Sequence, residues 1–161
     1  MATDIFLKID GIAGESEDSK HSGEIQLDSF SFGVSQTGTS GTGGGAGAGK
    51  AHFQDVHLSK KVDKATPNLI KACATGQHIA NAVVVFRKAG GQQEEYFTIK
   101  FKDILVSSVQ GSDSGGVDGI LMEQVSLNFT SVQYIYKEQA KDGTLKGTVD
   151  FGYDVKKNQK L

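Results

Sequence analysis

The stretch GTGGGAGAGKA, from Gly41 to Ala51, contains the first seven positions of a P-loop, the turn that binds nucleotide phosphates. Gly44 is followed by four residues and then by Gly49 and Lys50, but Ala51 stands where a P-loop has the Ser or Thr that binds Mg²⁺. A P-loop also needs a helix directly after it, because the helix N-terminus supplies N–H groups to the phosphates. The residues after Lys50 alternate as a strand instead, so we predict that this stretch binds no nucleotide.

The other residue types that could do chemistry lack the spacing that a catalytic or metal site requires. His52 and His57 are five residues apart on a predicted strand, which places them on opposite faces. Asp113 and Asp118 lack the ligand spacing of a calcium loop. Cys73, the only cysteine, lies on the apolar stripe of a predicted helix, where a small buried hydrophobe is expected. We therefore predict that the protein is not an enzyme and uses no metal or cofactor.

Composition restricts the class of protein further. The 161 residues, 37% of them hydrophobic, fit one domain spanning 1–161 with a core of its own. The net charge of −2, with acidic and basic residues interspersed, predicts no nucleic-acid partner. No window approaches 18 apolar residues, so no membrane insertion is expected. The N-terminal MATDIFLKID has no apolar run preceded by lysines, and we expect export without a cleaved signal peptide.

Period-two alternation of apolar residues dominates the chain and predicts about seven or eight strands. The segment Glu24–Gln36 is predicted to be one strand bent near Asp28, because its apolar residues change parity there. The segment Glu123–Lys137 changes its apolar face in the same way. A hairpin is predicted across Gly90 and Gly91, and its second arm is long enough to serve two sheets.

One helix is predicted at about residues 67–75. Thr66 is suited to the N-cap and Pro67 to the first helical position, and Gly76 is placed for a left-handed C-cap. An apolar stripe is formed at helical spacing by Leu69, Ile70 and Cys73. Strands with a single helix predict a mainly β fold, either a barrel or a sandwich, on which the helix packs.

Five segments, taken in order, resemble the Hcp family, the haemolysin-coregulated proteins of bacterial type VI secretion. They are FLKIDGIAGES, DSFSFGVSQTG, QDVHLSKKVDKATPNLIKACATGQHI, VFRKAGG and EQVSLNFTSVQYIY. The most specific parts are the segment that leads into the helix, with Lys61, Asp63 and Pro67, and the segment that ends it, with Cys73, Gly76 and His78. The family often has Trp where this chain has Phe30-Ser31-Phe32, and two Phe keep an apolar anchor there.

The resemblance implies a compact β-barrel of two sheets with one flanking α-helix, assembling into a hexameric ring. It also implies that rings stack into the inner tube of type VI secretion, and that the tube carries effector proteins. A spike protein would cap the tube and a sheath would surround it. The subunit would be made and assembled in the bacterial cytoplasm and then exported. The alternative is a monomeric β-barrel that binds a small ligand, but the nine Phe and four Tyr favour a filled interior.

Alternation also predicts which residues line the lumen of such a ring. If Phe30, Phe32 and Val34 point into the core, then Ser31, Gly33 and Ser35 lie on the opposite face of the same strand. That face is too small and polar for a core, and it lacks the charge of an ordinary solvated face. We therefore predict that Ser31, Gly33 and Ser35 line the lumen and that Ser31 contacts effectors.

The glycine-rich tract at about residues 37–50 is predicted to be an extended loop. Ordering its fourteen residues would cost on the order of 14–28 kcal/mol, and it has no large apolar side chain to offset that cost. We expect a neighbouring ring, stacked along the tube axis, to hold it, since glycine permits close approach of two backbones. The residues assigned to this contact are Gly41, Gly44, Gly47, Gly49 and Lys50, the last as a salt-bridge partner across the ring boundary.

Overall fold

The computed structural model of the protein describes residues 3–36, 50–90, 93–113, 119–139 and 145–161. These ranges contain eleven strands and one helix. In chain order they are β1 (Thr3–Ile9), β2 (Ile25–Leu27), β3 (Ser29–Ser31), β4 (Val34–Gln36), β5 (Ala51–Phe53), β6 (Val56–Lys61), α1 (Thr66–Thr75), β7 (His78–Lys88), β8 (Glu95–Ser112), β9 (Met122–Gln139), β10 (Leu145–Asp154) and β11 (Gln159–Lys160).

Nine of these strands form one branched sheet, in which every pairing is antiparallel. Its main path runs β11-β10-β9-β8-β7-β1-β2, and a branch leaves β9 through β6 to β3. β4 and β5 form a separate two-stranded arm. The mainly β prediction is confirmed. The barrel prediction is wrong, because β2 and β11 end the path without pairing to each other and the sheet stays open over the described ranges.

β8 and β9 are each 18 residues long and take part in two branches of this sheet, which we describe below as two sheets. The N-terminal half of β8 pairs with β7 up to Leu105, and the C-terminal half of β9 pairs with β10. The other halves build what we call the four-stranded sheet, in the order β3, β6, β9 (residues 122–128) and β8 (residues 106–112). The second arm of the predicted hairpin is therefore long enough to serve both branches, which belong to one continuous sheet and not to two separate ones.

Both long strands change their buried face at the level where the two sheets meet. In β9 the buried apolar residues are Val125, Leu127 and Phe129 before the change and Val132 after it. In β8 the change falls at Asp103, whose φ of 52° lies in the left-handed region. The face change predicted for residues 123–137 is therefore confirmed, and it lets both sheets cover one core.

Asp103 is held in this conformation by its side-chain contacts. The Thr130 hydroxyl, on the paired strand, donates to Asp103 Oδ2 at 2.7 Å, and His78 Nδ1 lies 2.8 Å from Oδ1. The Thr130 hydrogen bond, followed by the His78 hydrogen bond, lowers the pKa of the Asp103 carboxyl. These contacts fasten β7, β8 and β9 together where the sheet turns.

The helix packs against β8 and buries Leu69 and Ala72 in the core. It starts one residue earlier than expected, because Ala65 occupies the N-cap position and makes no side-chain cap. Gly76 ends the helix with a φ of 66°, as predicted, and its N–H reaches the last carbonyls. The predicted apolar stripe is partly wrong, since Ile70 is half exposed.

A buried ion-pair network joins the segment before the helix to the four-stranded sheet. The ammonium group of Lys60, a fully buried residue, contacts the carboxylate of Glu123 on β9 and donates to Asp63 Oδ1 at 2.8 Å. Thr66, the first residue of α1, donates its hydroxyl to Glu123 Oε1 at 2.9 Å. Such charges are tolerated in a core only when they are paired and hydrogen-bonded. Lys60, and not the exposed Lys61 singled out in the sequence, is the lysine that anchors this segment.

A second polar cluster fastens the long connection between β1 and β2. Arg87 is buried and donates to both carboxylate oxygens of Asp18, at 3.0 and 2.7 Å, and to Asp4 at 3.0 Å. The hydrogen bonds from Arg87 hold the pKa of the Asp18 carboxyl well below its usual range. Phe6 lies between the Arg87 guanidinium, 4.9 Å from its ring centre, and the stacked ring of His21. The connection therefore covers the face of β1 that turns away from the main core.

The Lys60 network yields a test of fold stability. Replacing Glu123→Gln leaves the buried ammonium group without its carboxylate partner from β9, and we expect a loss of about 3 kcal/mol in the free energy of unfolding. Urea denaturation followed by circular dichroism, at equal protein concentration, measures this loss. Glu138→Gln, an exposed position on the same strand, is the matched control and is expected to change stability by less than about 0.5 kcal/mol. Equal losses in the two variants would contradict a structural role for the network.

Candidate functional site

The four-stranded sheet has one apolar face, turned to the core, and one polar face, turned outward. Phe30, Leu58 and Val125 are paired neighbours on the core side. Alternation places mostly small or polar side chains on the other side of all four strands. We call this the hydroxyl face; its residues are Ser29, Ser31, His57, Ser59, Lys61, Met122, Gln124, Ser126, Asn128, Ser108, Gln110 and Ser112.

The strand register aligns these side chains in rows across the sheet. One row runs from Ser31 through His57 and Ser126 to Ser108. Three of its four residues carry hydroxyl groups, and Ser31 and His57 are exposed. Ser31 donates its hydroxyl to the His57 carbonyl at 3.5 Å. The row aligns Ser31, which the sequence analysis singled out, with residues on three other strands.

Several hydroxyl groups of this face hydrogen-bond to one another. Ser29 and Ser59 face each other across β3 and β6 with an Oγ–Oγ distance of 2.5 Å. Ser126 is buried between Ser107, at 2.8 Å, and Ser108. These contacts satisfy several hydroxyl groups within the sheet, and Lys61 is the one charged side chain among the residues that define the hydroxyl face.

Asp55 lies at one end of the hydroxyl face. Its carboxylate accepts a hydrogen bond from Ser107 at 2.7 Å and from the Asn128 amide at 2.9 Å. The pairing of β8 with β9 shifts register between Val106 and Ser108, and Ser107 is the extra residue of that bulge. The bulge therefore directs Ser107 to the Asp55 carboxylate.

Gly33 and Ser35 do not share the hydroxyl face with Ser31. The predicted long strand is interrupted near Asp28, as expected, and again at Phe32 and Gly33, after which β4 pairs only with β5. Phe32 and Val34 are 47% and 56% exposed in the single chain, so the prediction that they fill the core is wrong. They are exposed because the chain leaves the sheet of Ser31 at the second interruption, and β4 then pairs with β5 in a separate arm.

Gly33 and Ser35 instead line an apolar groove of about 610 Å³ between the β4–β5 arm and the sheet of β8, β9 and β10. Its walls are aromatic, and Phe32 lies 5.8 Å from the ring centres of both Phe97 and Tyr134. Burial raises the pKa of the Tyr134 hydroxyl. The remaining lining residues are Val34, Gln36, Ala51, Phe53, Phe151 and Tyr153. An exposed apolar surface of this kind is typical of a contact with another molecule.

The residues assigned to ring stacking are mostly beyond the described ranges. Gly41, Gly44, Gly47 and Gly49 lie outside them, as does Asp118 of the rejected calcium loop. Lys50 is described and exposed, directly before β5. The P-loop resemblance fails at this point, because Ala51 begins β5, a strand, where a P-loop requires a helix.

The described part of the chain contains no cluster of three His, Cys, Asp or Glu side chains that could hold a metal ion. His52 lies on β5 and His57 on β6, in two different sheets. Within the same ranges, no helix has the length and apolar character needed to cross a bilayer.

Sequence reasoning singled out Ser31 and did not name the other residues that share the hydroxyl face with it. The alternation of His57 and Ser59 with buried Val56 and Leu58 was visible in the sequence. It could not show that β6 lies between β3 and β9, because that order depends on contacts between distant segments. The sequence did not indicate that Asp55 contacts Ser107, because the bulge that brings them together depends on how β8 pairs with β9.

The fold and sequence match known proteins over nearly their whole length. Residues 6–136 match the family described as "Type VI secretion system effector, Hcp". The protein hcp1 of Pseudomonas aeruginosa strain PAO1 is 46% identical over 160 residues, which cover 98% of both chains. The crystal structure of Hcp1 from Salmonella typhimurium is similar with a TM-score of 0.81 and 36% identity, covering 99% of this chain and 100% of that one. A solved structure of a type six secretion system protein has a TM-score of 0.93 at 28% identity, with the same coverage.

The open two-sheet fold and these matches define a structural component of the type VI secretion system. The chain belongs to the Hcp family. It is a subunit of the type VI secretion tube, and membership of this family implies a secreted protein. The monomeric ligand-binding barrel is not supported.

Proposed function

We propose that six copies of the chain form a ring whose lumen is lined by the hydroxyl face. The observation that carries this proposal is the pair of free edges of the four-stranded sheet. β3 pairs only with β6, and the ladder between β7 and β8 ends at Leu105, so residues 106–112 of β8 have an open outer edge in the described structure. Open edges can pair with a second chain, because their N–H and C=O groups lack strand partners.

The strand directions allow the two free edges to join. β3 is antiparallel to β6, β6 to β9, and β9 to β8, so β3 and β8 run in opposite directions. Pairing β8 of one copy with β3 of the next would continue the same antiparallel order. The two edges are different surfaces, as the heterologous interface of a closed ring requires.

The hydroxyl face suits the lumen of a tube that carries proteins. Its serine side chains are small and hydrogen-bonded to each other, so they offer few strong contacts to a passing surface. We infer that Ser31, exposed near the β3 edge, contacts the carried effectors. Gly33 and Ser35 belong, in this proposal, to a contact between copies, because they line the apolar groove.

The apolar groove supports self-assembly independently of the strand edges. Val149 is 70% exposed and Phe151, which lines the groove, is 42% exposed. A tube subunit contacts other copies of itself, and burying such side chains contributes roughly 25 cal/mol per Å² of apolar surface. The groove is therefore assigned to contacts with a second copy.

Membership of a secretion tube supports the remaining partners that we propose. The glycine tract, with Gly41, Gly44, Gly47, Gly49 and Lys50, is proposed to contact the next ring along the tube. A spike protein at the tip, a surrounding sheath and effectors in the lumen complete the set of partners. Assembly is proposed to take place in the bacterial cytoplasm, before export without a cleaved signal peptide.

The ring is tested by measuring mass in solution. Light scattering at micromolar concentration is expected to give six times the mass of one chain. Successive N–H groups of a strand point to opposite edges, so one of the two variants Val109→Pro and Gln110→Pro removes an N–H from the free edge of β8 and the other removes one from the ladder with β9. The variant that changes the free edge is expected to stay folded by circular dichroism and to elute as a monomer.

Two results would contradict the ring. One is a wild-type protein that is mainly a folded monomer at micromolar concentration. The other comes from amide hydrogen exchange. If residues 106–112 and 29–31 exchange as fast in the assembled protein as in a dissociated sample, the two edges do not pair.

Ser31 is tested by a change that fills the lumen. Ser31→Glu places a larger, charged side chain on the exposed row, and we expect effector binding and export to fall at least about tenfold while the hexamer mass is unchanged. Ser19→Glu, in an exposed loop away from the hydroxyl face, is the control. Normal effector export by the Ser31 variant would show that this residue does not face the cargo.

The glycine tract is tested by deleting Gly41–Gly49. We expect hexamers to persist, because the proposed ring contacts lie elsewhere, and tube growth and secretion to be lost. Electron microscopy of assembled tubes and a secretion assay measure the two effects. If the deletion variant still forms tubes and supports secretion, the tract is only a linker and makes no contact that the tube requires.

A further inference from the structure

The outer edge of β8 has two successive partners in the proposed ring. Its first part pairs with β7 of the same copy up to Leu105, which lies opposite His78, the first residue of β7. Residues 106–112 would pair with β3 of the next copy. Because β3 and β8 run in opposite directions, the chain that follows Ser31 of the next copy runs toward Leu105 of the first. It approaches an edge that β7 already occupies, so β3 cannot be extended there.

The chain of the next copy leaves the sheet at this point. Phe32 and Gly33 follow β3 directly, and β4 then pairs with β5 in the β4–β5 arm. The interruption of the strand thus falls where the proposed ring leaves no free edge. Phe32 and Val34, on either side of Gly33, are about half exposed in the single chain. They form an apolar surface at the start of the arm, which the described residues of the same copy cover only in part.

Helix α1 of the first copy lies at the same end of the free edge. It packs against β8, ends before Gly76, and is followed two residues later by His78, the partner of Leu105. The exposed surface of α1 is divided into an apolar and a polar side, because residues three and four apart share one side of a helix. The apolar side consists of Pro67, Ile70 and Ala74, and the polar side of Asn68, Lys71 and Thr75.

We propose that the apolar side of α1 in one copy packs against Phe32 and Val34 of the next copy. This inference rests on the proposed ring and names a second contact of its interface, beside the strand pairing. Both surfaces are apolar and lie at the Leu105 end of the free edge. They are different patches of the chain, as a heterologous interface requires. The contact also explains why Ile70, an apolar residue at helical spacing, is half exposed in the single chain.

Cross-linking tests whether the two surfaces meet. Val34→Cys and Ala74→Cys are combined with Cys73→Ala, which removes the only native cysteine. A short bismaleimide, added to hexamers whose mass has been checked by light scattering, is expected to give covalent species of two to six chains on a denaturing gel. Val34→Cys with Asn68→Cys, on the polar side of the same helix, is the matched control and is expected to stay mainly uncross-linked.

A charge substitution tests the contribution of the contact to the ring. Ile70→Lys places an ammonium group in the proposed apolar contact, and we expect the concentration at which half of the rings dissociate to rise about tenfold or more. Asn68→Lys is the control and is expected to leave that concentration unchanged. Dilution followed by light scattering measures both variants, and circular dichroism checks that each remains folded.

The outcomes separate failure of this contact from failure of the ring. If wild-type hexamers form but the Val34–Ala74 pair cross-links no more than the Val34–Asn68 pair, the ring stands and the contact is overturned. Rings of Ile70→Lys that dissociate at the same concentration as those of Asn68→Lys also overturn it. A wild-type protein that is mainly a folded monomer at micromolar concentration contradicts the ring and the contact together.

Discussion

The change of buried face in β8 and β9 is the constraint on which the rest of this structure depends. Two strands of 18 residues each belong to two sheets, and both sheets must place apolar side chains in one core. Uninterrupted alternation along such a strand would point the apolar side chains of one half away from the core. The left-handed backbone of Asp103, held by Thr130 and His78, reverses the alternation at the level where the sheets meet. The four-stranded sheet, and with it the hydroxyl face, exists because of that reversal.

The Lys60 network fixes the helix relative to this sheet. Lys60 is on β6, Glu123 is on β9, and Thr66 begins α1, so one set of polar contacts joins three elements. A buried ion pair is weak evidence for stability, since apolar residues often fill the same space equally well. The network also links the helix start to the sheet, because the Thr66 hydroxyl donates to the Glu123 carboxylate that contacts Lys60. The core residues Leu69 and Ala72 then meet β8 in a defined position.

The two outward surfaces differ in chemistry and in the contacts that they suit. The hydroxyl face is mostly uncharged and is partly hydrogen-bonded to itself, which supports the proposed lumen wall. The groove between the β4–β5 arm and β8–β10 is lined by aromatic rings, which fits a lasting contact with another copy. The arm itself pairs with no other strand in the described ranges, and a two-stranded hairpin is marginally stable alone. Packing of Phe32 and Phe53 against the sheet therefore holds the arm in place.

The sequence alone determined the features that depend on neighbouring residues. Alternation showed the strands and the face change in residues 123–137, and Gly76 marked the helix end, because each depends on a few adjacent side chains or one backbone angle. The resemblance of its segments also identified the Hcp family. Only the tertiary structure decided which strands are neighbours. It left the sheet open, placed Phe32 and Val34 outside the core, and aligned Ser31 with His57 and Ser126. Alternation states which residues of one strand share a face, whereas the order and register of strands depend on contacts between segments far apart in the chain.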